Sequence, residues 1–404
     1  MEITKTGPPK YIIYLGTMRL PDGNAAAHRG VGICRLCSKI GFAPVLIGVS
    51  DDPGARGDVL KTRFTFEGLA AYSLPYPRGA GEWLRHIASI RRIERVMNDL
   101  GIQNIHAVIA MDYHAIALAR LIRLCRRRRV FLIADTLDWF GKSRDPFPRN
   151  WVKDFDTALR MKRLHKKTAR VIAASRYLYD YYQKDVPALE LIPPCADPSG
   201  AKFQDMPGFA PHTPPEFSFV GSPDPQFSHE RLDWLIRAAC EMNRKGLPCR
   251  VNIVGMDRAA LVEMHPALVN LKEFDTCVQC LGRRPHDECL KIIAQSDFTV
   301  IIREDTLLSR AGFSTKFAES FACGTPVLIT PTSNMRDYLI DGVNGFASEN
   351  CTYESFCTAF ETLLRKVLPG DVARMHAQIP QNNPLLYDRY LENLKRLLCP
   401  ENAL

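Results

Sequence analysis

The sequence has little of what marks a membrane-spanning or exported protein. Across 404 residues, no segment reaches the roughly 18–20 apolar residues that a membrane helix requires. The first residues, MEITKTGPPKYIIYLG, are interrupted at Pro8 and Pro9 before any adequate apolar run, so we expect no secretory signal. The predicted location is therefore cytoplasmic.

Two common phosphate-binding motifs are also missing. No GxGxxG follows the first predicted strand and no GxxxxGK[ST] occurs, which argues against dinucleotide and Walker-type sites. The 13 cysteines include the pairs Cys34–Cys37 and Cys277–Cys280, but these pairs lie some 240 residues apart and most cysteines have apolar neighbours. We therefore expect buried, reduced thiols and no zinc site.

Positive charge is concentrated in the first half of the chain. Residues 1–199 contain 32 lysine and arginine residues against 19 aspartate and glutamate residues, a net charge of +13, whereas residues 200–404 carry −4. The densest clusters are Arg126–Arg129 and Lys162–Arg170. This asymmetry predicts an anionic partner, either an anionic membrane surface or a phosphate-linked acceptor. No recognised nucleic-acid module is present, so we expect no nucleic acid.

Short apolar runs alternate with amphipathic segments throughout, which predicts an α/β protein of two doubly wound, Rossmann-like parallel sheets. Residues 196–215 are rich in proline and glycine and lack periodicity, as expected of a linker. We therefore predict an N-terminal domain over 1–195 and a C-terminal domain over 216–380. A final helix over 381–404 is predicted to cross back to the first domain, and ligands are expected in the cleft between the domains.

The stretch from Arg303 to Val327 has the strongest chemical signal. A predicted strand ends at Arg303, and a loop leads into a helix that begins near Thr315. Free backbone N–H groups and the positive end of the helix dipole bind phosphate at such a junction. Lys316 adds a cation, and Glu319, one turn later, suits the vicinal hydroxyls of a ribose. These residues predict a nucleotide site.

Two segments carry a resemblance to a known family. AGFSTKFAESFACGTPVLIT (311–330) and NMRDYLIDGVNGF (334–346) resemble the donor-site blocks of family-4 glycosyltransferases, which typically read GFG…EAMACGTPV and EIV.DG.NG. The motif GFSTKFAES is most similar to that of the branch that builds bacterial surface polysaccharides. The resemblance covers about three quarters of the chain in order. It implies the GT-B fold, in which an acceptor domain and a nucleotide-sugar domain face a central cleft.

The resemblance also implies roles for individual residues. Glu319 would bind the ribose, and His114 would lie near the reacting sugar. Besides these carried-over roles, Arg303 and Lys316 would supply positive charge against the departing diphosphate. The remaining donor-binding residues are Gly312, Phe313, Ser314 and Thr315 around the diphosphate and Gly282, Arg283 and Arg284 at the base. The arginine and lysine that the family places after the first strand of the second domain have no clear counterpart here, which leaves His229 or Arg231 as the substitute cation.

We expect the first domain to bind the acceptor through loops that follow its strands. Gly23 and Asn24 lie in the loop Asp22–Ala26, directly after the first strand. Asp135, Asp138 and Trp139 follow another strand, where they would hydrogen-bond to a sugar and stack on it.

The predicted function is therefore transfer of a sugar, a hexose, from a nucleoside-diphosphate sugar to a glycan or lipid-diphosphate-linked acceptor in surface-polysaccharide synthesis. A UDP-sugar donor, retention of configuration and no metal or other cofactor are expected, with peripheral contact to the inner membrane through Arg126–Arg129.

The sequence departs from the family at Ala311, where the first glutamate of the Glu-x7-Glu motif would fall. This departure leaves open a catalytically silent nucleotide-binding subunit that partners another transferase. The sequence is also compatible with another nucleotide-sugar enzyme on the same fold, such as an epimerase, and its basic first half with a nucleic-acid-binding protein.

Overall fold

The computed structural model describes residues 9–21, 23–143, 147–224, 226–227 and 229–399. The chain divides into two units: the first joins the residues up to Pro193 to those from Tyr387 onward, and the second is Pro194–Leu386. Each unit contains one mostly parallel sheet with helices, which confirms the prediction of two Rossmann-like α/β domains. Among the described residues, no helix combines the length and apolar character needed to cross a membrane.

The sheet of the first unit has eight strands in the order β3-β4-β2-β1-β5-β6-β7-β8. The strands are β1 Tyr11–Arg19, β2 Ala43–Ser50, β3 Arg63–Phe66, β4 Leu69–Pro75, β5 Ile105–Met111, β6 Phe131–Thr136, β7 Arg170–Ala173 and β8 Ala188–Leu191. Every pairing is parallel except β3 with β4. Strands β3 and β4 were not predicted from the sequence. In β3, exposed and half-buried residues alternate, so the strand forms no apolar run.

Helices connect these strands and explain why the central strands are almost continuously apolar. They are α1 Ala25–Ile40, α2 Ala80–Ala88, α3 Arg91–Asp99, α4 Ala115–Arg128, α5 Arg149–Leu159, α6 His165–Lys167 and α7 Arg176–Tyr182, with a π-helical turn at Arg160–Leu164 between α5 and α6. The segment from Glu82 to Leu100 forms two helices and not one, because Ser89 adopts an extended conformation between them.

The sheet of the second unit has six parallel strands in the order β11-β10-β9-β12-β13-β14. The strands are β9 Glu216–Val220, β10 Arg250–Val254, β11 Val278–Gly282, β12 Phe298–Ile301, β13 Val327–Ile329 and β14 Gly345–Ala347. Phe217 packs in its core against Phe298 and Phe360, with ring centroids 5.7 and 4.8 Å apart. Large aromatic side chains thus fix the adjacent strands β9 and β12.

The helices of the second unit are α8 Leu232–Arg244, α9 Arg258–Met264, α10 Pro266–Val269, α11 Phe274–Cys277, α12 His286–Gln295, α13 Leu307–Ala311, α14 Thr315–Ala322, α15 Tyr353–Lys366 and α16 Pro369–Asn382. Helices α13 and α16 were not predicted from the sequence. In α16, Pro369 occupies the first turn, where its missing N–H needs no partner, and Pro380 lies near the end of the helix.

The final helix, α17 Leu391–Leu398, follows a short 3-10 turn at Tyr387–Tyr390 and packs on the first unit. Glu190 accepts hydrogen bonds from Asn393 Nδ2 at 2.7 Å and from Arg396 Nε at 2.6 Å. The first unit is therefore built from two segments that are distant in the sequence.

A charged candidate site at the carboxyl edge of the second sheet

The direction of winding of the second sheet reverses between β9 and β12. From β9 the chain proceeds to β10 and β11 on one side, and then returns to β12, β13 and β14 on the other. β9 and β12 run parallel, with Ser218 opposite Thr299. Ligands of open α/β sheets bind at the carboxyl ends of the strands where such a reversal occurs. We therefore expect a ligand-binding site at the loops that follow β9 and β12.

Three charged side chains meet at this point. The Lys316 ammonium forms an ion pair with the Glu230 carboxylate, and Arg303 Nη2 lies 3.6 Å from Glu230 Oε1. All three side chains are largely buried, with 17, 9 and 10% exposure for Lys316, Arg303 and Glu230. Burial raises the pKa of Glu230, but Lys316 and Arg303 outweigh burial and lower it overall. Two cations against one anion leave a positive, partly desolvated site that suits an anionic ligand.

His229 lies beside these charges. Burial and then the nearby Arg303 cation lower the pKa of His229 to about 4, so the imidazole is neutral at physiological pH. Its buried Nδ1 has no hydrogen-bond partner among the residues that the structure describes. A neutral imidazole leaves the positive charge of the site to Arg303 and Lys316.

Gly221 provides the room for the lysine. A Cβ atom at this position would overlap Lys316 Nζ and lie 3.1 Å from Glu230 Oε2. The backbone here is also tightly packed, because Gly255, at φ 106°, approaches the Gly221 carbonyl. We therefore expect that β9 needs glycine at its carboxyl end to accommodate the ion pair.

Substitution of Gly221 by alanine tests this arrangement. Because the overlapping atom is the end of a flexible side chain, we expect Gly221→Ala to displace Lys316 from Glu230 without unfolding the protein, at a cost of no more than about 3 kcal/mol for the weakened ion pair. Affinity for a nucleoside diphosphate should fall by about tenfold, which corresponds to loss of one charged contact. Calorimetric titration with UDP measures the effect. Gly208→Ala, where nothing lies within 4 Å of an added Cβ, is the matched control. Equal affinities for both variants would contradict this function for Gly221.

The first turn of α14 borders the charged cluster. Ser314 occupies the N-cap position, but its hydroxyl makes no capping hydrogen bond. Its Oγ is buried and has no partner among the described residues, and the same is true of Arg303 Nε. Thr315 begins the helix and is half-buried. Buried polar atoms normally have partners, so these two are available to a ligand.

The segment before this helix differs from the predicted loop. α13 interrupts it, stabilised by a capping box between Thr306 and Ser309. Ala311, at the position of the missing family glutamate, is fully buried at the end of this helix. Gly312 follows with φ −86°, a conformation that does not require glycine. The Phe313 ring packs against Phe317 and Tyr338, so its side chain belongs to the core and only its backbone is available at the site.

Glu319 lies one turn further along α14, as the sequence predicted. Its Oε1 is 3.1 Å from Nε2 of His286, the first residue of α12, and its side chain is 16% exposed. His286 was not predicted as a site residue, although it lies in the segment LGRRPHDECL that follows β11. Together the two side chains place a carboxylate and an imidazole at the rim of this edge.

The remaining predicted donor residues lie on the same edge of the sheet. Gly282 ends β11 at φ 69°, where glycine is favoured. Arg283 and Arg284 are exposed, and Arg284 Nε donates to the Leu281 carbonyl at 3.0 Å. The Gly282 N–H donates to the Met256 carbonyl at 3.2 Å, and the Gly282 carbonyl accepts from the Gly255 N–H at 2.8 Å.

Arg231 differs from its expected role as a substitute cation. Its guanidinium forms ion pairs with Asp233 and Glu304 and lies 4.7 Å from the centroid of the Trp234 ring. Its backbone N–H donates to the Ile302 carbonyl at 3.0 Å. The two carboxylates neutralise the arginine, which joins the loops after β9 and β12.

In the first unit, His114 lies directly after β5, beside the point where that sheet also reverses its winding. It occupies the N-cap position of α4, and its Nδ1 is 3.9 Å from Asp156 Oδ2. The imidazole is 26% exposed and packs edge-on against the rings of Trp83 and His86. The histidine is therefore accessible from the carboxyl edge of the first sheet.

Asp135 does not face solvent, contrary to its predicted role in acceptor binding. Its carboxylate is fully buried and accepts hydrogen bonds from Arg29 Nε at 2.9 Å and Arg29 Nη2 at 2.7 Å. The Tyr14 hydroxyl donates to it at 2.6 Å. Burial, followed by the Asp135 charge, raises the pKa of Tyr14. This buried network fixes α1 against β6 and holds the Asp135 carboxylate in the core.

Of the other predicted acceptor residues, Asn24 and Trp139 already make contacts within the first unit. Asn24 Oδ1 caps α1 through the Ala27 N–H at 3.1 Å, while Gly23 lines a half-open cavity of about 310 Å³ with Arg19 and Tyr76. Asp22 lies outside the described residues. Asp138 is half-buried, and the half-buried Trp139 packs edge-on against Tyr177 and Tyr181.

The residue after β5, Asp112, carries an unusual carboxyl group. It adopts a left-handed conformation at φ 41°, and Arg160 Nη1 lies 3.1 Å from its Oδ1. Burial raises the pKa of Asp112 to about 7, although Arg160 opposes this increase. The folded protein therefore retains this proton at a pH where the unfolded chain, with an aspartate pKa of about 3.9, has lost it.

We expect a measurable pH dependence from this group. The free energy of unfolding should fall as the pH rises from about 4 to about 7, because the unfolded state then binds fewer protons than the folded state. Asp112→Asn should reduce this decline. Urea denaturation of both proteins at pH 5 and pH 8 measures the difference. Parallel pH dependences for the two proteins would contradict the assigned titration.

The part of the chain that contains the charged site matches a known protein-family model. Residues 214–366 match the family model described as "Glycosyl transferases group 1". This segment contains the β9 and β12 loops, α14 and Glu319. The glycosyltransferase class predicted from the sequence is thereby confirmed. A comparison with curated protein sequences gave no match.

Solved structures resemble the whole chain. Sucrose-phosphate synthase from Thermosynechococcus elongatus has a TM-score of 0.67 at 13% identity, over 96% of this chain and 98% of that chain. Anabaena HepE in complex with UDP-glucose has a TM-score of 0.62 at 13% identity, over 96% and 99%. The lipopolysaccharide outer core galactosyltransferase WaaB has a TM-score of 0.64 at 12% identity, over 96% and 99%. At these identities the likeness confirms the GT-B fold.

Proposed function

We propose that this chain transfers a hexose from a nucleoside-diphosphate sugar, with UDP as the favoured nucleotide, to a glycan or lipid-diphosphate-linked acceptor of a cell-surface polysaccharide. The observation that carries the proposal is the pairing of Arg303 and Lys316 with a single carboxylate beside the first turn of α14. HepE, a protein of similar fold, was solved with UDP-glucose, and WaaB is a lipopolysaccharide galactosyltransferase. These relatives support the choice of donor and of acceptor class.

In this proposal the diphosphate binds at the start of α14. The backbone N–H groups of Ser314 and Thr315, the Ser314 hydroxyl and the two cations accept the negative charge that develops as the bond to the sugar breaks. Glu319 accepts hydrogen bonds from the ribose hydroxyls, and the turn at Gly282 contacts the base. No side-chain nucleophile is needed, because the leaving phosphate takes the acceptor proton and configuration is retained.

The N-terminal domain, predicted over 1–195, is proposed to hold the acceptor. His114, at the carboxyl edge of its sheet, approaches the reacting sugar, while Gly23, Asn24, Asp138 and Trp139 contribute to acceptor binding. Arg126–Arg129, at the end of α4, is exposed and is proposed to attract an anionic membrane surface at the cytoplasmic side. We also propose that transfer needs no metal ion.

A two-stage experiment tests this function. Thermal unfolding is measured with UDP, GDP, ADP and their sugars, because a ligand that binds only the folded state raises the melting temperature. The stabilising nucleotide sugar is then incubated with lipid-diphosphate-linked glycans, and the anomeric configuration of the product is read by NMR. Activity is compared with and without EDTA. No stabilisation by any nucleotide would refute the proposal.

A silent nucleotide-binding subunit is the second candidate, and Ala311 is the observation that favours it. Alanine has no carboxylate, and Ala311 is fully buried at the position where the family has the first glutamate of its Glu-x7-Glu motif. This candidate predicts UDP binding without turnover of any UDP-sugar, alone or with lipid-linked acceptors. Turnover by the purified chain eliminates it.

A further inference from the structure

Large exposed apolar side chains are concentrated in three helices of the first unit. Neither α2 nor α5 has a fully buried residue. We call the following six residues the aromatic face: Trp83 (40% exposed), Leu84 (64%), Ile116 (47%), Trp151 (63%), Val152 (45%) and Phe155 (56%). Trp151 and Phe155 stack on each other with centroids 5.8 Å apart. Exposed apolar groups in such number mark an interaction surface.

These side chains come from helices that meet at the first turn of α4. The Trp83 ring of α2 lies 6.5 Å from the His114 ring at that turn. From the other side, Asp156 of α5 accepts a hydrogen bond from the Ala115 N–H at 2.8 Å. Ile116 is the next residue of α4. The aromatic face is therefore one patch rather than scattered residues.

A row of arginines continues from this patch along α4. Ile116, Arg120, Arg123 and Arg127 are all exposed and follow one another at intervals of four, three and four residues. Such spacing places them on one side of the helix. We call Arg120, Arg123 and Arg127 the arginine stripe; the helix that carries it, α4, contains no aspartate or glutamate. The 14-residue helix thus has an apolar end and a cationic end on its outer side.

We propose that the aromatic face and the arginine stripe form one docking surface for an anionic lipid bilayer, with α4 lying along the membrane. Tryptophan and phenylalanine enter the interface between headgroups and acyl chains, while arginines attract anionic headgroups. The single sign of the stripe favours such a bilayer over a protein partner. The inference extends the membrane location given under the proposed function, but it does not depend on the transferase chemistry.

Vesicle flotation of the full chain tests the surface. One set of vesicles contains phosphatidylcholine alone, and the other contains phosphatidylcholine with one third phosphatidylglycerol. We expect binding to the anionic vesicles, and W151S/F155S should lower the partition coefficient by about tenfold or more. R123S/R127S should mainly remove the preference for anionic vesicles and the sensitivity of binding to salt.

A matched variant controls for the loss of exposed apolar surface. I340S/L368S removes side chains of the second unit that are 60 and 65% exposed, and it should bind vesicles like the unchanged protein. UDP affinity, measured on every variant, checks the fold and separates the two proposals. Vesicle binding that requires Trp151 and Phe155 in a chain that does not bind UDP would refute the proposed function and leave this surface intact.

Three results would overturn the inference. The first is absence of binding to either kind of vesicle, and the second is equal flotation of W151S/F155S and the unchanged protein. The third is self-association in sedimentation experiments that W151S/F155S abolishes while vesicle binding is unchanged, which would identify a second copy of the chain as the occupant.

Discussion

Glu319→Ala is expected to lower the affinity for UDP by about 100-fold while the fold remains intact. The carboxylate lies one turn into α14, beside the proposed diphosphate position, and its side chain retains 16% exposure. A hydrogen bond to a charged acceptor contributes about 1.5–3 kcal/mol, so two ribose hydroxyl donors contribute about 3 kcal/mol at the lower end of this range, close to the about 2.7 kcal/mol of a 100-fold change. Isothermal titration of UDP against the purified variant measures the loss.

Two further proteins make this result specific. Glu319→Gln keeps an acceptor oxygen without the charge, and it should bind UDP with an affinity between those of the unchanged protein and the alanine variant. Glu354→Ala removes an exposed carboxylate of α15 and should leave the affinity unchanged. If the affinity of Glu319→Ala stays within about twofold of the unchanged protein, Glu319 has no part in nucleotide binding.

Lys316→Met is expected to reduce the rate of transfer by about 10²–10³-fold, because an electrostatic contact to the departing diphosphate is lost. It should also lower the free energy of unfolding by about 3 kcal/mol, because the buried Glu230 carboxylate loses its nearest cation. Arg303, at 3.6 Å, remains as a weaker partner. Single-turnover kinetics and urea denaturation separate the two effects.

A double variant distinguishes catalysis from stability. Glu230→Gln combined with Lys316→Met removes both members of the ion pair, so most of the lost stability should return while the rate stays low. Lys366→Met, at an exposed position of α15, should change neither quantity. If the double variant recovers the transfer rate, Lys316 only supports the structure and does not stabilise the leaving group.

The proposed nucleotide-binding segment could be predicted from the sequence because its signal is local. The strand that precedes Arg303, the glycine and hydroxyl residues, and the helix that contains Lys316 and Glu319 follow one another within some 20 residues. Backbone geometry then places these groups at one sheet edge without reference to the rest of the chain. The two sheets were predicted for a similar reason, since buried parallel strands leave continuous apolar runs.

The residues that contact Lys316 and Glu319 could not be predicted from a local sequence pattern. Glu230 lies 86 residues before Lys316, and His286 lies 33 residues before Glu319. Neither has a motif of its own, and only the packing of the β9 loop and α12 against α14 brings them close. The same limit explains Asp135. A carboxylate after a strand suits a ligand site, but Arg29, 106 residues earlier, holds it in the core.

The arrangement of the final helix has a consequence for the order in which the chain folds during synthesis. All of the second unit leaves the ribosome before α17 does, whereas the first unit lacks α17 until translation has passed Leu398. Until then Glu190 lacks its hydrogen-bond donors Asn393 and Arg396, and His106 lacks its contact with the Leu398 carbonyl. Because domains fold as units during synthesis, the second unit can complete its core while the first is still unfinished. The half that the ribosome makes first therefore needs the last described helix before its fold is complete.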